Sequence, residues 1–213
     1  TDGWANNQDL DLHILNSVSK SFASTLIGIA IDQQIIPDTN VLVHDYFQHK
    51  QPIANWNESK ANITLQNWLT MRYGYEWDEW DSSYFDSSNL NAQMNNANDP
   101  MQFLLDRPMV ETPAKVFAYS TGVSFALGRL IERASGQSLV NFMETNLFEP
   151  LSINNYTYWA LDGTPHMGSA LYLSTRDLAK LGQLFLDKGL WNGERIVSQS
   201  WIEQATQKRI DND

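Results

Sequence analysis

Residues 22–31 form an almost unbroken apolar run, and polar residues recur at regular intervals before and inside it. These polar positions follow the i, i+3, i+4, i+7 spacing of one helix face: Ser17, Lys20, Ser21 and Ser24. Because the other faces are apolar, we predict a buried helix over about residues 17–34 that carries a single polar stripe.

The composition fits a packed domain and argues against nucleic-acid binding. The chain has 213 residues, of which 42% are hydrophobic and 12% aromatic, so a sizeable core is available. Its formal net charge of -11 repels phosphate backbones and anionic membranes, although solubility alone also explains the acidity. The longest apolar run is too short to span a bilayer, so we expect no transmembrane segment.

The chain contains no cysteine, which excludes disulfides, thiolate metal sites and a cysteine nucleophile. Its four histidines show no metal-ligand spacing, so we expect neither a metal nor an organic cofactor. The expected partner is a small-molecule substrate, while the oligomeric state stays open.

Helix signals dominate the chain, and convincing alternating strands are scarce. Several predicted helices follow a serine or threonine cap: Thr64, Ser138, Ser174, and Ser198 or Ser200. Residues 73–98 form a long predicted loop, in which Trp77 either walls a substrate cleft or pins the loop onto the core. Four carboxylates of this loop could mimic a glycosidase pair, but we interpret them as a solvated acidic face because they are clustered: Glu76, Asp78, Glu79 and Asp81. We therefore predict a mainly α chain with one domain over residues 1–213, whose helical region spans about residues 41–207.

Ser17 and Lys20 form a Ser-x-x-Lys pair at the start of the predicted buried helix. A serine hydroxyl is a weak nucleophile unless a base takes its proton, and a lysine three residues later lies on the same helix face. The helix N-terminus adds partial positive charge near the serine. The pair therefore predicts nucleophilic catalysis, although a capping Ser17 with a solvated Lys20 explains the pattern equally well.

The tetrapeptide at residues 119–122, Tyr-Ser-Thr-Gly, precedes a second predicted helix over residues 123–134. A tyrosine hydroxyl at a tight turn can relay a proton between a lysine and a leaving group. By itself, such a turn more often caps a helix and holds a half-buried tyrosine. Its combination with the Ser-x-x-Lys helix favours a catalytic interpretation.

With both motifs, the chain resembles the serine β-lactamase and penicillin-binding-protein-like superfamily, in particular its class C-like esterase and 6-aminohexanoate-oligomer hydrolase branch. The likeness runs in order along most of the chain in five segments: 17–32, 65–77, 117–139, 146–153 and 171–203. The resemblance implies that Ser17 is the nucleophile that forms an acyl-enzyme, that Lys20 accepts its proton, and that Tyr119 shuttles protons. It also implies the α+β β-lactamase/transpeptidase-like fold and favours a periplasmic or secreted location.

Two departures from the family pattern limit what the resemblance implies. The third position of the family's Tyr-x-Asn motif is Thr121 here, which keeps a hydroxyl but loses an amide donor. This change favours a plain ester or amide over a β-lactam, with Thr121, Trp77 and His166 as the expected substrate-binding residues.

The family's third motif, Lys-Thr-Gly or an equivalent, has no counterpart, and residues 1–16 are too short for the strands that precede the nucleophile helix. We therefore expect the helical region of the fold with its flanking sheet strands missing, and poor activity, since one oxyanion-hole donor contributes a factor of ~10²–10³ in rate.

These observations predict a serine hydrolase that cleaves a carboxylic ester or a small linear amide through an acyl-enzyme. A β-lactam or D-alanyl-peptide hydrolase is the first alternative, and β-lactam turnover separates it from an esterase. The second alternative is a catalytically impaired binding domain of the same fold, in which Ser17 is not acylated by a serine-directed reagent.

Overall fold

Helices dominate the computed structural model, which describes residues 11–209. Residues 1–10 and 210–213, which we included in the predicted domain, lie outside the described residues. The α-helices of the described part are α1 (Ser19–Asp32), α2 (Glu58–Ala61), α3 (Leu65–Leu69), α4 (Leu90–Asn95), α5 (Pro100–Leu105), α6 (Thr121–Ser135), α7 (Leu139–Met143), α8 (Thr175–Leu186) and α9 (Gln199–Ala205). Shorter helical segments are the 3₁₀ turns Asn16–Val18 and Val43–Lys50 and the π-helical turn Glu144–Phe148.

The two predicted buried helices, α1 and α6, pack against each other and supply much of the core. Phe22 and Leu26 of α1 and Phe125 and Leu130 of α6 have no exposed surface. Burial of each such side chain stabilises the fold by about 1.5–3 kcal/mol relative to leaving it in water. This packing holds the N-terminal ends of α1 and α6 in fixed positions relative to each other.

Serine side chains cap the helices that follow them, as predicted. The Ser138, Ser174 and Ser198 side chains each accept a hydrogen bond from the backbone N–H three residues later. Ser120 caps α6 in the same way, accepting from Val123 N over 3.0 Å. The cap at Ser120 fixes the start of α6 at Thr121, two residues after Tyr119.

Short antiparallel strands accompany the helices. Strand β5 (Leu171–Leu173) lies between β1 (His13–Ile14) and β2 (Tyr156–Tyr158) in a small sheet. Two hairpins complete the strands of the described residues: β3 (Ala160–Leu161) with β4 (Thr164–Pro165), and β6 (Leu190–Trp191) with β7 (Glu194–Arg195).

The small sheet is tied to the start of α1. Leu15 N donates to the carbonyl of Leu171 over 2.9 Å. In return, Leu171 N donates to the Ser19 hydroxyl over 3.2 Å. The turn before β5 is therefore held next to Ser17 and Lys20.

The segment over residues 73–98 is more ordered than the predicted loop. It contains α4, which the Asn89 side chain caps by accepting from Asn91 N and Ala92 N. An isolated bridge pairs Tyr75 with Met109, and Met94 of α4 is fully buried. The helix was missed because it is only six residues long and is flanked by serines and asparagines, which are typical of turns. In the described part of the chain, no helix is long and apolar enough to cross a membrane.

Candidate active site

Ser17, Lys20 and Tyr119 meet at the start of α1. Lys20 Nζ lies 3.2 Å from Ser17 Oγ, and the Tyr119 hydroxyl donates to the same oxygen over 2.8 Å. Ser17 is exposed, whereas Lys20 and Tyr119 are half-buried. The serine oxygen therefore lies between an amine and a phenol and is open to an approaching ligand.

The backbone before α1 presents Ser17 and does not use it as a helix cap. Asn16 has a φ of 47°, in the left-handed region that few residues other than glycine adopt. The N-cap of α1 is Val18, and no side chain caps the helix there. Capping by Ser17 therefore does not explain the Ser-x-x-Lys pattern.

Each hydrogen of the Lys20 ammonium has an acceptor within reach. The three acceptors are Ser17 Oγ at 3.2 Å, Thr121 Oγ1 at 3.3 Å and the carbonyl oxygen of Gly168 at 2.5 Å. The ammonium nitrogen also lies 4.8 Å from the centroid of the Tyr119 ring, within cation–π range. The position of the amine is thus fixed from three elements of the fold.

Gly168 reaches Lys20 because it has no side chain. A Cβ at this position would lie 2.7 Å from the carbonyl oxygen of Thr121 and 2.6 Å from Thr121 Cγ2, closer than van der Waals contact allows. The turn at residues 166–169 is therefore packed directly onto the first residue of α6. Nothing in the sequence pattern indicated that this backbone carbonyl belongs to the site.

His166 lies beneath the site and supports the turn. Its side chain is 1% exposed, between the rings of Trp159 and Phe125 at centroid distances of 5.4 Å each. Its Nδ1 accepts from Gly168 N over 3.2 Å, which assigns the ring proton to Nε2. Burial, with a smaller contribution from the charge of Lys20, lowers the pKa of His166 to about 4. The ring is therefore neutral at pH 7, and it holds the turn from a buried position, so its predicted contact with a substrate stays a prediction.

Trp77, the other predicted substrate-binding residue of this region, also lies behind the site. Its side chain is buried and occupies the space in front of Gly122, where a Cβ would lie 2.6 Å from the indole ring. Trp80 is the tryptophan at the surface: it is 66% exposed, and its ring centroid lies 5.2 Å from that of Tyr119. Two tryptophans three positions apart in one loop look alike in sequence, so only the structure separates them.

The prediction of a solvated acidic face is confirmed for Glu76, Asp78 and Asp81, which are exposed, and is wrong for Glu79. Glu79 is 1% exposed and accepts hydrogen bonds from the backbone N–H and the hydroxyl of Thr121. The sequence carries no signal for this burial, because the partners on α6 lie 42 residues away. Within the described residues, no group of three or more histidine, aspartate or glutamate side chains is placed to hold a metal ion.

The sequence of the chain matches a known protein family and a characterised relative. The family model described as Beta-lactamase matches residues 8–212. The 6-aminohexanoate-dimer hydrolase of Paenarthrobacter ureafaciens is 25% identical, over 92% of this chain and 50% of that protein. The chain therefore spans about half the length of this relative.

Solved structures confirm the β-lactamase/transpeptidase-like fold. A Bacillus anthracis protein provisionally assigned as a 6-aminohexanoate-dimer hydrolase superposes with a TM-score of 0.77 at 21% identity, over 93% of this chain and 54% of that one. A family VIII carboxylesterase gives 0.73 at 17% identity, over 95% and 62%. The octameric penicillin-binding protein homologue of Pyrococcus abyssi gives 0.70 at 18% identity, over 95% and 50%.

Proposed function

The chain belongs to the beta-lactamase family of serine hydrolases, and from this premise we propose that it cleaves a carboxylic ester or a small linear amide through an acyl-enzyme. The observation that carries the proposal is the position of Ser17 Oγ, 3.2 Å from Lys20 Nζ and 2.8 Å from the Tyr119 hydroxyl. Tyr119 lies 102 residues from Ser17 along the chain. A Ser17 that merely capped the helix beside a solvated Lys20 would not explain the contact between Tyr119 and Ser17.

In the proposed reaction, Ser17 Oγ attacks the carbonyl carbon of the substrate while its proton passes to Lys20, which reacts in its neutral amine form and becomes an ammonium. Tyr119 delivers a proton to the leaving alcohol or amine as the C–O or C–N bond breaks, and the proton taken up by Lys20 then returns to Tyr119. The acyl group then remains on Ser17 until water hydrolyses the ester and restores the serine hydroxyl. The acceptors around Lys20 support this role, because they hold the amine beside the serine through both proton transfers.

The surroundings of Ser17 support an ester or amide more than a β-lactam. Thr121 presents a hydroxyl where the family motif has an amide, and that hydroxyl is engaged by Lys20 and Glu79. The exposed ring of Trp80 beside Tyr119 offers an apolar wall to the acyl or leaving group. The names of a carboxylesterase and of a 6-aminohexanoate-dimer hydrolase among the similar proteins agree with both bond types.

The test is intact-mass spectrometry of the chain after incubation with a fluorophosphonate, alongside Ser17→Ala. An activated serine displaces fluoride from phosphorus, so the wild type should gain the mass of one phosphonyl group and the variant none. Absence of the adduct from the wild type would favour a binding domain and overturn the proposal. If an adduct forms, turnover of short esters and of nitrocefin decides the substrate class, and faster nitrocefin turnover would favour the β-lactam alternative.

A further inference from the structure

Glu79 is a buried carboxylate with every acceptor position in use. Its Oε1 accepts from the Tyr84 hydroxyl and from Thr121 Oγ1, each over 2.7 Å. Its Oε2 accepts from Thr121 N over 2.8 Å and from Trp77 Nε1 over 2.9 Å. A buried charge is retained only where such bonds replace water, so the site around Glu79 is built for a carboxylate.

The bond between Glu79 and Thr121 determines which way the threonine hydroxyl points. A hydroxyl has one hydrogen to donate, and an ionised carboxylate can only accept. The hydrogen of Thr121 Oγ1 is therefore directed at Glu79, and its lone pairs are free for another donor. That donor is Lys20, whose Nζ lies 3.3 Å from Thr121 Oγ1.

We propose that Glu79 is a positioning residue for Lys20, acting through the Thr121 hydroxyl; the inference rests on the proposed function, in which Lys20 serves Ser17. A free hydroxyl rotates and can turn its hydrogen toward an amine as readily as its lone pairs. With its hydrogen held by Glu79, Thr121 is a fixed acceptor for Lys20. Glu79 also places a negative charge one hydroxyl away from the ammonium, at the N-terminus of α6 where the helix dipole favours an anion.

The alternative role for Glu79 is purely structural, because it also fixes the loop over residues 77–84. Two of its four side-chain bonds, from Trp77 and Tyr84, lie within that loop, and the other two go to Thr121. These bonds can be broken separately. Tyr84→Phe removes a loop bond to Oε1 and keeps the ring, whereas Thr121→Val removes the bond that reaches Lys20 and keeps the shape.

The experiment measures fluorophosphonate labelling of Ser17 in this chain, with the maximal labelling rate kinact separated from the half-saturating probe concentration KI. Glu79→Gln and Thr121→Val should each lower kinact by roughly 10–100-fold, as expected for loss of a hydrogen bond to a charged group. KI should stay within about twofold in Glu79→Gln, because the Glu79 side chain is buried away from the probe. Thermal melting of each variant reports any loss of folding.

Two further variants separate positioning from structure. Thr121→Ser keeps the hydroxyl and should restore kinact to within about threefold of the wild type, while Tyr84→Phe should lower the melting temperature without lowering kinact. The double variant of Glu79→Gln with Thr121→Val should label no more slowly than the slower single variant, since both act through one hydroxyl.

The outcomes distinguish this inference from the proposed function. An unlabelled wild type overturns the proposed function itself. A labelled wild type with unchanged kinact in Glu79→Gln or in Thr121→Val overturns the positioning role and leaves the proposed function standing. Equal losses of kinact in Tyr84→Phe and Glu79→Gln would assign Glu79 to loop structure alone. If Glu79→Gln fails to fold, Thr121→Val and Thr121→Ser still test whether the hydroxyl between Glu79 and Lys20 is needed for labelling.

Discussion

Two regions of the described part of this protein hold a lysine against the ring of a tyrosine, and one of them contains the proposed catalytic residues. In the Lys20 group (Ser17, Lys20, Tyr119 and Thr121), the ammonium nitrogen lies 4.8 Å from the Tyr119 ring centroid. In the Lys60 group (Lys60, Tyr75 and His44), the corresponding distance to Tyr75 is 5.7 Å. A lysine beside a tyrosine is therefore not enough to mark an active site.

The Lys60 group is closed to solvent, and backbone carbonyls accept the hydrogen bonds of its lysine. Lys60 has no exposed surface and donates to the carbonyl oxygens of Ala54 and Leu105, each over 2.8 Å. Burial, with a smaller contribution from the charge of Arg107, lowers the pKa of Lys60 to about 8. Such a lysine has the pKa of a useful base, but it lies where no substrate reaches it.

The Lys20 group differs in what the lysine touches. Two of the three acceptors around Lys20 are hydroxyls, and one of these belongs to an exposed serine. Access to solvent and a neighbouring hydroxyl, and not burial alone, therefore distinguish the proposed catalytic lysine from the buried one.

The largest effect that would test this comparison comes from replacing each lysine by methionine. Lys20→Met should slow fluorophosphonate labelling of Ser17 by about 10³-fold, within the range of general base catalysis, with little change in melting temperature. Lys60→Met should leave the labelling rate unchanged. It should lower the free energy of unfolding by about 1–3 kcal/mol, because two buried carbonyls lose their donor. Slower labelling in Lys60→Met with unchanged stability would remove the distinction between the two groups.

The paired tyrosines give the next effect in size. Tyr119→Phe removes the hydroxyl that lies 2.8 Å from Ser17 Oγ and should slow labelling by about 10²-fold. Tyr75→Phe removes only the contact with His44 Nε2 at 3.3 Å, so we expect a stability loss of about 1 kcal/mol and unaltered labelling. Kinetic labelling of both variants measures the first effect, and thermal melting measures the second. If Tyr119→Phe labelled at the wild-type rate, the proposed role of Tyr119 in proton transfer would be wrong.

The smallest effect is a dependence of stability on pH that belongs to the Lys60 group. The pKa of Lys60 is lowered to about 8 in the folded protein, from 10.5 in the unfolded chain. The unfolded chain therefore binds more protons between these values, and the contribution of Lys60 to stability rises with pH through this window. Urea unfolding from pH 7.5 to 9.5 should show the difference between wild type and Lys60→Met growing in favour of the wild type. A flat difference would contradict the lowered pKa.

Much of the local structure was predictable because its causes lie within a few residues. The apolar run and its polar stripe predicted α1, and serine caps predicted where α7, α8 and α9 begin. The six-residue helix α4 was missed because serines and asparagines typical of turns flank it and its capping bonds are not visible as a pattern.

The candidate site divides in the same way. The i, i+3 spacing by itself brings Ser17 within reach of Lys20, since a helix places those positions on one face. Residues far apart along the chain had to be brought in by packing: Tyr119, the Gly168 carbonyl that is 148 residues from Lys20, and the buried Glu79. Only tertiary structure decides which of two similar tryptophans is exposed, or which of two lysines meets a serine, because burial and long-range hydrogen bonds depend on the whole fold.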